Sequence, residues 1–362
     1  MKRMLAGLFF AAILLYNGGA RAEAKAYLLM EAETGRVLYE SNARTPLPMA
    51  STTKVMTALL ALEHGNLDEM VTAGPNAFGV PGTSIYLSQG EQLTLREMLY
   101  GLMLASGNDA AVAIAEHISG SVPAFCQAMT ERARVLGCEN TLFSTPHGLP
   151  AAHHYTTAYD LALITREAMR NPIFREIVST QRATIPWTGH DYDRVLNNKN
   201  RLLSSYPGAT GVKTGYTKAA GRCLVFSAER ENMALIGVVL NCPDWFDQAE
   251  ALLDRGFQNW QMVTLLHQNE AIGQLPVERG QKEFITIRAS RDIAAPMETD
   301  TWPDLVIDLP ASLPAGVEKG QIVGSAHLMD GGKIICTIPL YADEASPEQT
   351  FRFQLERILS CW

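Results

Sequence analysis

Apolar and polar residues follow two different periods along this chain, and the changes of period divide it into modules. Two alternating runs, Ala26–Glu31 and Arg36–Glu40, predict a β-hairpin near the start. A helical period then recurs over Ser51–Glu63, Thr94–Leu104, Asp109–Ile118, Pro123–Leu136 and Thr157–Ala168. Strand-like runs return at Gly211–Thr214, Cys223–Ala228 and Met233–Asn241, followed by a helix over Pro243–Trp260. This order predicts an α+β domain over residues 23–261, with the hairpin and the later strands in one antiparallel sheet.

A second module over residues 262–345 has the pattern of short strands. Its alternating runs are separated by Pro and Gly turns and fall at Phe284–Ile287, Leu305–Ile307, Gln321–Ala326 and Lys333–Leu340. Such spacing is typical of a small β-sandwich. No constellation of catalytic residue types lies in this module.

The last segment, residues 346–362, predicts an amphipathic helix. Ser346 and Pro347 suit the N-cap and the first helical position. Its apolar residues share one helical face and are Phe351, Leu355, Ile358, Leu359 and Trp362. We favour a helix that lies in the outer leaflet of a membrane, with a helix docked on the protein as the alternative.

The first residues read as a targeting segment. Lys2 and Arg3 precede the apolar run Met4–Tyr16, and Ala20-Arg21-Ala22 resembles an A-x-A cleavage site. We therefore predict a signal peptide over residues 1–22, with a cut after Ala24 or an uncleaved membrane anchor as alternatives. In each case the remaining chain works outside the cytoplasm.

Composition narrows the class of protein further. The 362 residues are 47% hydrophobic and 19% charged, which excludes intrinsic disorder. The net charge is −8 and no Lys/Arg-rich block occurs, so we expect no nucleic-acid partner.

Six cysteines permit disulfides in an exported chain, but Cys126, Cys223 and Cys336 lie in apolar patterns that favour buried thiols. No Cys or His spacing suggests zinc, and we expect neither a metal nor a cofactor.

Three short motifs carry candidate chemistry, and each alone has a plain structural reading. Ser51 and Lys54 form an S-x-x-K pair one helical turn apart, which an N-cap serine and a solvated lysine would also produce. Ser106-Gly107-Asn108 suits an interhelical turn, and Lys213-Thr214-Gly215 suits an exposed edge strand. In this order and these contexts, the three together are the signature of serine β-lactamases and penicillin-binding proteins.

The chain resembles the low-molecular-weight penicillin-binding proteins that act as serine-type D-Ala-D-Ala carboxypeptidases. The resemblance covers nearly the whole chain. Beside the three motifs it rests on Gly82-Thr83-Ser84, Leu99-Tyr100-Gly101-Leu102, Pro146-His147-Gly148-Leu149 and Tyr206-Pro207-Gly208. It implies a penicillin-binding/β-lactamase-like domain, a small β domain and an amphipathic C-terminal helix. It also implies substrates that are peptidoglycan stem peptides ending in D-Ala-D-Ala, and acylation by β-lactams.

The resemblance assigns roles to the motif residues. Ser51 is the nucleophile, Lys54 its base, and Ser106 the relay to the leaving amine. The residues that contact substrate are Asn108, Lys213, Thr214, Gly215 and Tyr216, and the backbone N–H groups of Ser51 and Tyr216 form the oxyanion hole.

Lys54 must be neutral to act as a base. Holding a lysine neutral at pH 7 requires roughly 4.6 kcal/mol. A second cation about 4 Å away, such as Lys213, supplies on the order of 4 kcal/mol at an effective dielectric near 20.

Three alternatives remain at this point. A DD-endopeptidase would use the same residues. A class A-like β-lactamase needs a glutamate for deacylation, and the segment Asn140–Leu149, where we would look for it, has no acidic residue. A non-catalytic cell-wall-binding protein would not need all four of Ser51, Lys54, Ser106 and Lys213. We interpret His147 as a buried histidine that braces its loop, with a functional role as the alternative.

Overall fold

The computed structural model describes residues 24–360. The predicted signal peptide, residues 1–22, lies outside the described residues, as do Cys361 and Trp362.

Within residues 24–259, the first domain mixes nine strands with eight α-helices. The strands are β1 (Ala26–Glu31), β2 (Val37–Ser41), β3 (Met70–Thr72), β4 (Gln92–Thr94), β5 (Arg182–Ile185), β6 (Arg194–Asn197), β7 (Ala209–Thr217), β8 (Gly221–Arg230) and β9 (Met233–Leu240). The helices are α1 (Lys54–His64), α2 (Leu95–Met103), α3 (Asn108–Ser119), α4 (Val122–Val135), α5 (Ala158–Arg170), α6 (Pro172–Ser179), α7 (Leu202–Ser205) and α8 (Trp245–Asn259).

Five of these strands form the central antiparallel sheet, in the order β2-β1-β9-β8-β7. The prediction that the first hairpin joins the later strands is therefore confirmed. Neighbouring residues of each strand face opposite sides, so Leu28 joins the core under the helical layer while Leu29 joins the core beneath α8. The sheet is thus buried on both faces, and β7 is the edge strand left beside α1.

The sequence located the long helices to within a few residues. Helix α2 begins with a capping box, because Thr94 Oγ1 accepts from the Glu97 amide and the Glu97 carboxylate accepts from the Thr94 amide. Helix α6 and the hairpins β3–β4 and β5–β6 were not predicted. Each is short, and α6 directly follows α5, with Asn171 ending one helix and capping the next.

The second domain is built from strands, as predicted. They are β10 (Trp260–Leu266), β11 (Ala271–Glu278), β12 (Phe284–Ala289), β13 (Ile293–Glu298), β14 (Asp304–Asp308), β15 (Leu313–Pro314), β16 (Ile322–Asp330) and β17 (Lys333–Ala342). A six-stranded sheet, β14-β16-β17-β12-β11-β15, lies over the pair β10–β13 and encloses a separate apolar core.

The last helix, α9 (Phe351–Ser360), has no buried residue. Among residues 24–360, no helix has both the length and the apolar content that crossing a membrane requires. Cys126 and Cys223 are buried in α4 and β8, as the apolar pattern predicts, whereas Cys336 is only half-buried in β17.

Candidate active site

Ser51 lies in a single 3-10 turn, Ala50–Thr53, that leads directly into α1. Ala50 has a left-handed backbone conformation with φ of 48°. Gly148 packs against its carbonyl so closely that a Cβ there would stand 1.8 Å from the Ala50 oxygen. The turn is therefore clamped from a distant loop. It leaves the Ser51 amide among the first N–H groups of the helix, which lack an intrahelical acceptor.

Lys54 has three polar neighbours. Its Nζ lies 3.0 Å from Ser51 Oγ, 2.7 Å from Asn108 Oδ1 and 2.9 Å from the carbonyl oxygen of His147. The last two atoms can only accept hydrogen bonds. A neutral amine has two N–H groups and one lone pair, so donating to both carbonyls leaves the lone pair for the Ser51 hydroxyl.

Burial favours the neutral amine. Lys54 is fully buried, and desolvation is the largest cause that holds its pKa well below the usual lysine range. The charges of Lys213 and Lys199 lower this pKa further, while Asp109 opposes them. From the sequence, the charge of Lys213 was expected to be the main cause of the lowered Lys54 pKa. In the structure desolvation is the larger cause, because the helical core encloses the whole lysine side chain.

Ser106 lies in the turn between α2 and α3, and Asn108 is the first residue of α3. Ser106 is buried with φ of 65°, and its carbonyl accepts from Thr83 Oγ1 at 2.5 Å. Asn108 is held from both ends of its amide, because Nδ2 donates to the Pro81 carbonyl at 2.6 Å while Oδ1 accepts from Lys54. Asn108 thus positions the Lys54 amine, and its Nδ2 is already bonded to the protein.

The edge strand β7 supplies the opposite wall. Gly215 packs flat against the nucleophile's turn, where an added Cβ would stand 2.9 Å from the Ser51 nitrogen. Only glycine therefore leaves the Ser51 amide open at this point. Thr214 is nearly buried, while the Tyr216 side chain is exposed at the mouth.

Lys213 is buried behind this wall, and its Nζ donates to the Thr214 carbonyl at 3.0 Å. Burial, with a smaller contribution from Lys199, lowers the Lys213 pKa to about 7. An anion bound in the cleft would therefore increase the fraction of Lys213 that is charged.

The predicted residues meet at one cavity of about 440 Å³. Six of the eight line it, and they are Ser51, Ser106, Asn108, Thr214, Gly215 and Tyr216. Lys54 and Lys213 stand behind the lining. A larger cavity of about 530 Å³ lies beside α5 and α6 and holds none of the predicted site residues.

The structure adds residues that the sequence analysis did not select. Lys199 lines the cavity, and burial lowers its pKa. Asp109 is buried, and its carboxylate accepts from the amides of Ile85 and Leu87 and from Ser84 Oγ. Its position directly after Asn108 was the signal in the sequence that could have identified Asp109. A carboxylate that is buried at such a position needs several hydrogen-bond donors.

His147 braces its loop, as predicted. Its Nδ1 accepts from the Leu149 amide at 3.1 Å, and its carbonyl accepts from Lys54. Burial, with the nearby Lys54 charge, lowers the His147 pKa to about 3, so the ring stays neutral at physiological pH. Among residues 24–360, no group of three or more His, Cys, Asp or Glu side chains is placed to hold a metal ion.

A serine hydroxyl facing a buried amine, in a cleft between a helix start and a sheet edge, defines a serine hydrolase of the penicillin-binding type. Residues 17–244 match the D-alanyl-D-alanine carboxypeptidase family, and residues 260–348 match the C-terminal domain of penicillin-binding protein 5. The chain belongs to this carboxypeptidase family.

Curated relatives match most or all of the chain. The chain is 34% identical to the D-alanyl-D-alanine carboxypeptidase DacF of Bacillus subtilis, with 100% of this chain and 99% of the relative covered. It is 31% identical to DacA of Escherichia coli, over 92% of this chain and 86% of the relative.

Solved structures show the same architecture. The crystal structure of penicillin-binding protein 5 from Haemophilus influenzae superposes with a TM-score of 0.78 at 31% identity, covering 91% of this chain and 98% of that one. A Streptomyces K15 DD-transpeptidase variant superposes with a TM-score of 0.62 at 36% identity, over 65% of this chain and 98% of that one. The protein is accordingly a serine-type D-Ala-D-Ala carboxypeptidase.

Proposed function

We propose that Ser51 carries the acyl group in this reaction. Its Oγ attacks the carbonyl carbon of the penultimate D-Ala while Lys54 takes the hydroxyl proton. The N–H groups of Ser51 and Tyr216 donate to the resulting oxyanion. Ser106 passes the proton to the leaving D-Ala amine as the C–N bond breaks, and water then hydrolyses the Ser51 ester.

The observation that carries this proposal is the set of contacts made by Lys54. Asn108 and His147 occupy both N–H groups of a neutral amine, so its lone pair is directed at the Ser51 hydroxyl. Desolvation favours the neutral amine before any substrate is bound, because it lowers the Lys54 pKa. A positioned base of this kind typically contributes about 10²- to 10⁴-fold to the rate.

The cationic side of the cleft suits a substrate that ends in a carboxylate. Lys199 lines the cavity, and Lys213 lies behind Thr214. A bound carboxylate favours the charged form of Lys213, which raises its pKa from about 7. We therefore place the terminal D-Ala carboxylate against Thr214, as the family resemblance implies.

Labelling with a penicillin followed by trypsin tests this assignment. Trypsin releases residues 45–54, which contain Ser51 and no other site serine. We expect the full penicilloyl mass on this peptide, because the acyl-enzyme forms on the Ser51 oxygen. A penicilloyl group on the peptide that contains Ser106 would overturn the proposal.

We also propose that the mature chain is exported and works at the outer face of the cytoplasmic membrane, held there by α9. The predicted leader over residues 1–22 supports export. Helix α9 supports the membrane contact, since its apolar residues Phe351, Leu355, Ile358 and Leu359 are all exposed. Stem peptides of the cell wall are found in that same compartment.

Vesicle sedimentation tests the membrane contact. We expect the chain starting at Glu23 to sediment with vesicles of phosphatidylethanolamine and phosphatidylglycerol. Replacing Phe351, Leu355 and Ile358 by serine should weaken binding at least about tenfold, because their apolar burial is lost. Gln354→Ser is the control on the same helix. Equal sedimentation of the triple variant and the control would contradict the proposal.

A further inference from the structure

One exposed aromatic side chain of the first domain lies at the mouth of the cleft, and another lies on the segment that forms its wall. Four aromatic side chains of residues 24–259 are largely exposed, namely Phe78, Tyr86, Tyr192 and Tyr216. Tyr216 lines the cavity itself, and Tyr86 follows the lining residue Thr83 by three positions. Exposed apolar groups that cluster next to a cleft mark a binding surface more often than scattered ones do.

Tyr86 is held in this exposed position at a conformational cost. Its φ is 61°, a left-handed value that is unusual for a bulky residue. The Asp109 carboxylate accepts from the amides on either side, Ile85 at 3.1 Å and Leu87 at 3.0 Å. Ser84 Oγ accepts from the Tyr86 amide at 2.8 Å. The start of α3 thus fixes the strained backbone while 73% of the side chain remains exposed.

The tip of the hairpin β5–β6 carries a second group of aromatic side chains, and this hairpin contacts the Tyr86 segment. Trp187 stacks on His190 with ring centroids 4.2 Å apart, and Tyr192 meets Trp187 edge-on at 5.7 Å. Arg194 lies over the Trp187 ring at 4.9 Å. Its guanidinium also reaches the Tyr86 carbonyl at 3.4 Å, so the hairpin rests on the segment that forms the cleft wall.

Arg194 is itself fixed by a buried ion pair. It is 4% exposed and lies 2.9 Å from Glu91 Oε1, whose side chain is fully buried. Arg194 thus holds the group of rings at the hairpin tip from its buried side. The Tyr192 side chain of this group is 63% exposed. Asp191 and Asp193 precede and follow Tyr192 in the chain, and both are exposed. Carboxylates beside an open aromatic face offer acceptors for the hydroxyl groups of a sugar.

We propose that Tyr86 and Tyr192 form a platform for a pyranose ring of the glycan chain to which the stem peptide is attached. The proposal rests on the proposed function, because it places the peptide of the same molecule in the cleft. A sugar four residues before the scissile bond lies at most about 14 Å from the reacting carbonyl in an extended peptide. Tyr86 follows the lining residue Thr83 by three positions, so it lies at most about 11 Å from this point of the cavity wall.

The test compares two substrates on matched variants of the full chain. One is a short peptide ending in D-Ala-D-Ala, and the other is the stem peptide joined to its N-acetylated disaccharide. Tyr86→Asn removes the ring while keeping a residue that tolerates a left-handed backbone. Tyr192→Ser removes the second ring, and Trp302→Ser is the control at an exposed aromatic of the other domain.

We expect each tyrosine variant to lower kcat/KM about fivefold on the glycan-bearing substrate, through a higher KM. Release of D-Ala from the short peptide should stay unchanged, as should both activities of Trp302→Ser. Equal losses on both substrates would overturn the proposal and assign the rings to the peptide. Unchanged activity of the tyrosine variants on the glycan-bearing substrate would also overturn it.

A binding measurement separates this proposal from the proposed function. Ligand-observed NMR with the N-acetylated disaccharide alone should show contact with the unsubstituted chain and a clear loss in Tyr86→Asn with Tyr192→Ser. If the chain released no D-Ala from either substrate, the proposed function would fail while this measurement would still decide the platform. Absence of disaccharide contact in the unsubstituted chain would then refute it.

Discussion

Ser51→Ala is expected to lower the release of free D-Ala by about 10⁴-fold or more and to abolish covalent penicillin labelling. The Lys54 lone pair is directed at the Ser51 oxygen, so replacing Ser51 removes the hydroxyl that this base activates. The measurement is free D-Ala released from a peptide ending in D-Ala-D-Ala, together with the mass of the chain after incubation with a penicillin.

Ser88→Ala is a suitable control for the loss of a hydroxyl. Ser88 is exposed on the same domain and does not line the cleft. Both variants should keep the thermal midpoint of the unsubstituted chain to within a few degrees, since neither opens a large cavity. Release of D-Ala by Ser51→Ala at more than about one-hundredth of the usual rate would refute the nucleophile assignment.

Lys54→Met is expected to lower the rate of acylation by penicillin about 10³-fold. Methionine has a similar length but cannot accept a proton. The rate is measured in a single turnover, so that binding and deacylation do not enter. The variant also leaves the Asn108 and His147 oxygens without their donor, and we expect it to lose about 1–3 kcal/mol of stability.

The pH dependence separates the base from a merely structural lysine. Because burial holds the Lys54 pKa well below its usual range, the amine stays neutral to a lower pH than an ordinary lysine does and becomes protonated as the pH falls further. Acylation of the unsubstituted chain should therefore decline on the acid side, and that decline should be absent from the residual activity of Lys54→Met. Lys218→Met, at an exposed lysine just beyond β7, should retain the usual rate and profile. A 10³-fold loss in Lys218→Met as well would contradict the assignment.

Local features of the sequence located most of the elements and most of the site. The apolar period set α1 to α5, and the Thr94 capping box set the start of α2, because these signals act within one or two helical turns. The short hairpin β5–β6 was missed. Its position depends on Arg194 reaching Glu91, 103 residues away, and no local pattern encodes that contact.

The site residues also divide into those that local sequence identified and those whose contacts depend on tertiary packing. Lys199 was overlooked because an isolated lysine in a polar run looks like a solvated side chain. It joins the cleft only through the packing of the segment before α7 against β7. Asn108 was predicted to contact the substrate amide. In the structure its Nδ2 donates to the Pro81 carbonyl, a partner that lies 27 positions away in the chain.

The sequence by itself determined which groups are present and the spacing of the first pair, since Ser51 and Lys54 are separated by a single helical turn. Only the tertiary structure decided the state of the amine. Its other partners come from positions 54 and 93 residues further along the chain, and the surrounding core removes the water that would keep it charged. Solvation depends on everything that packs around a group, and so a lysine becomes a base only once the chain has folded over it.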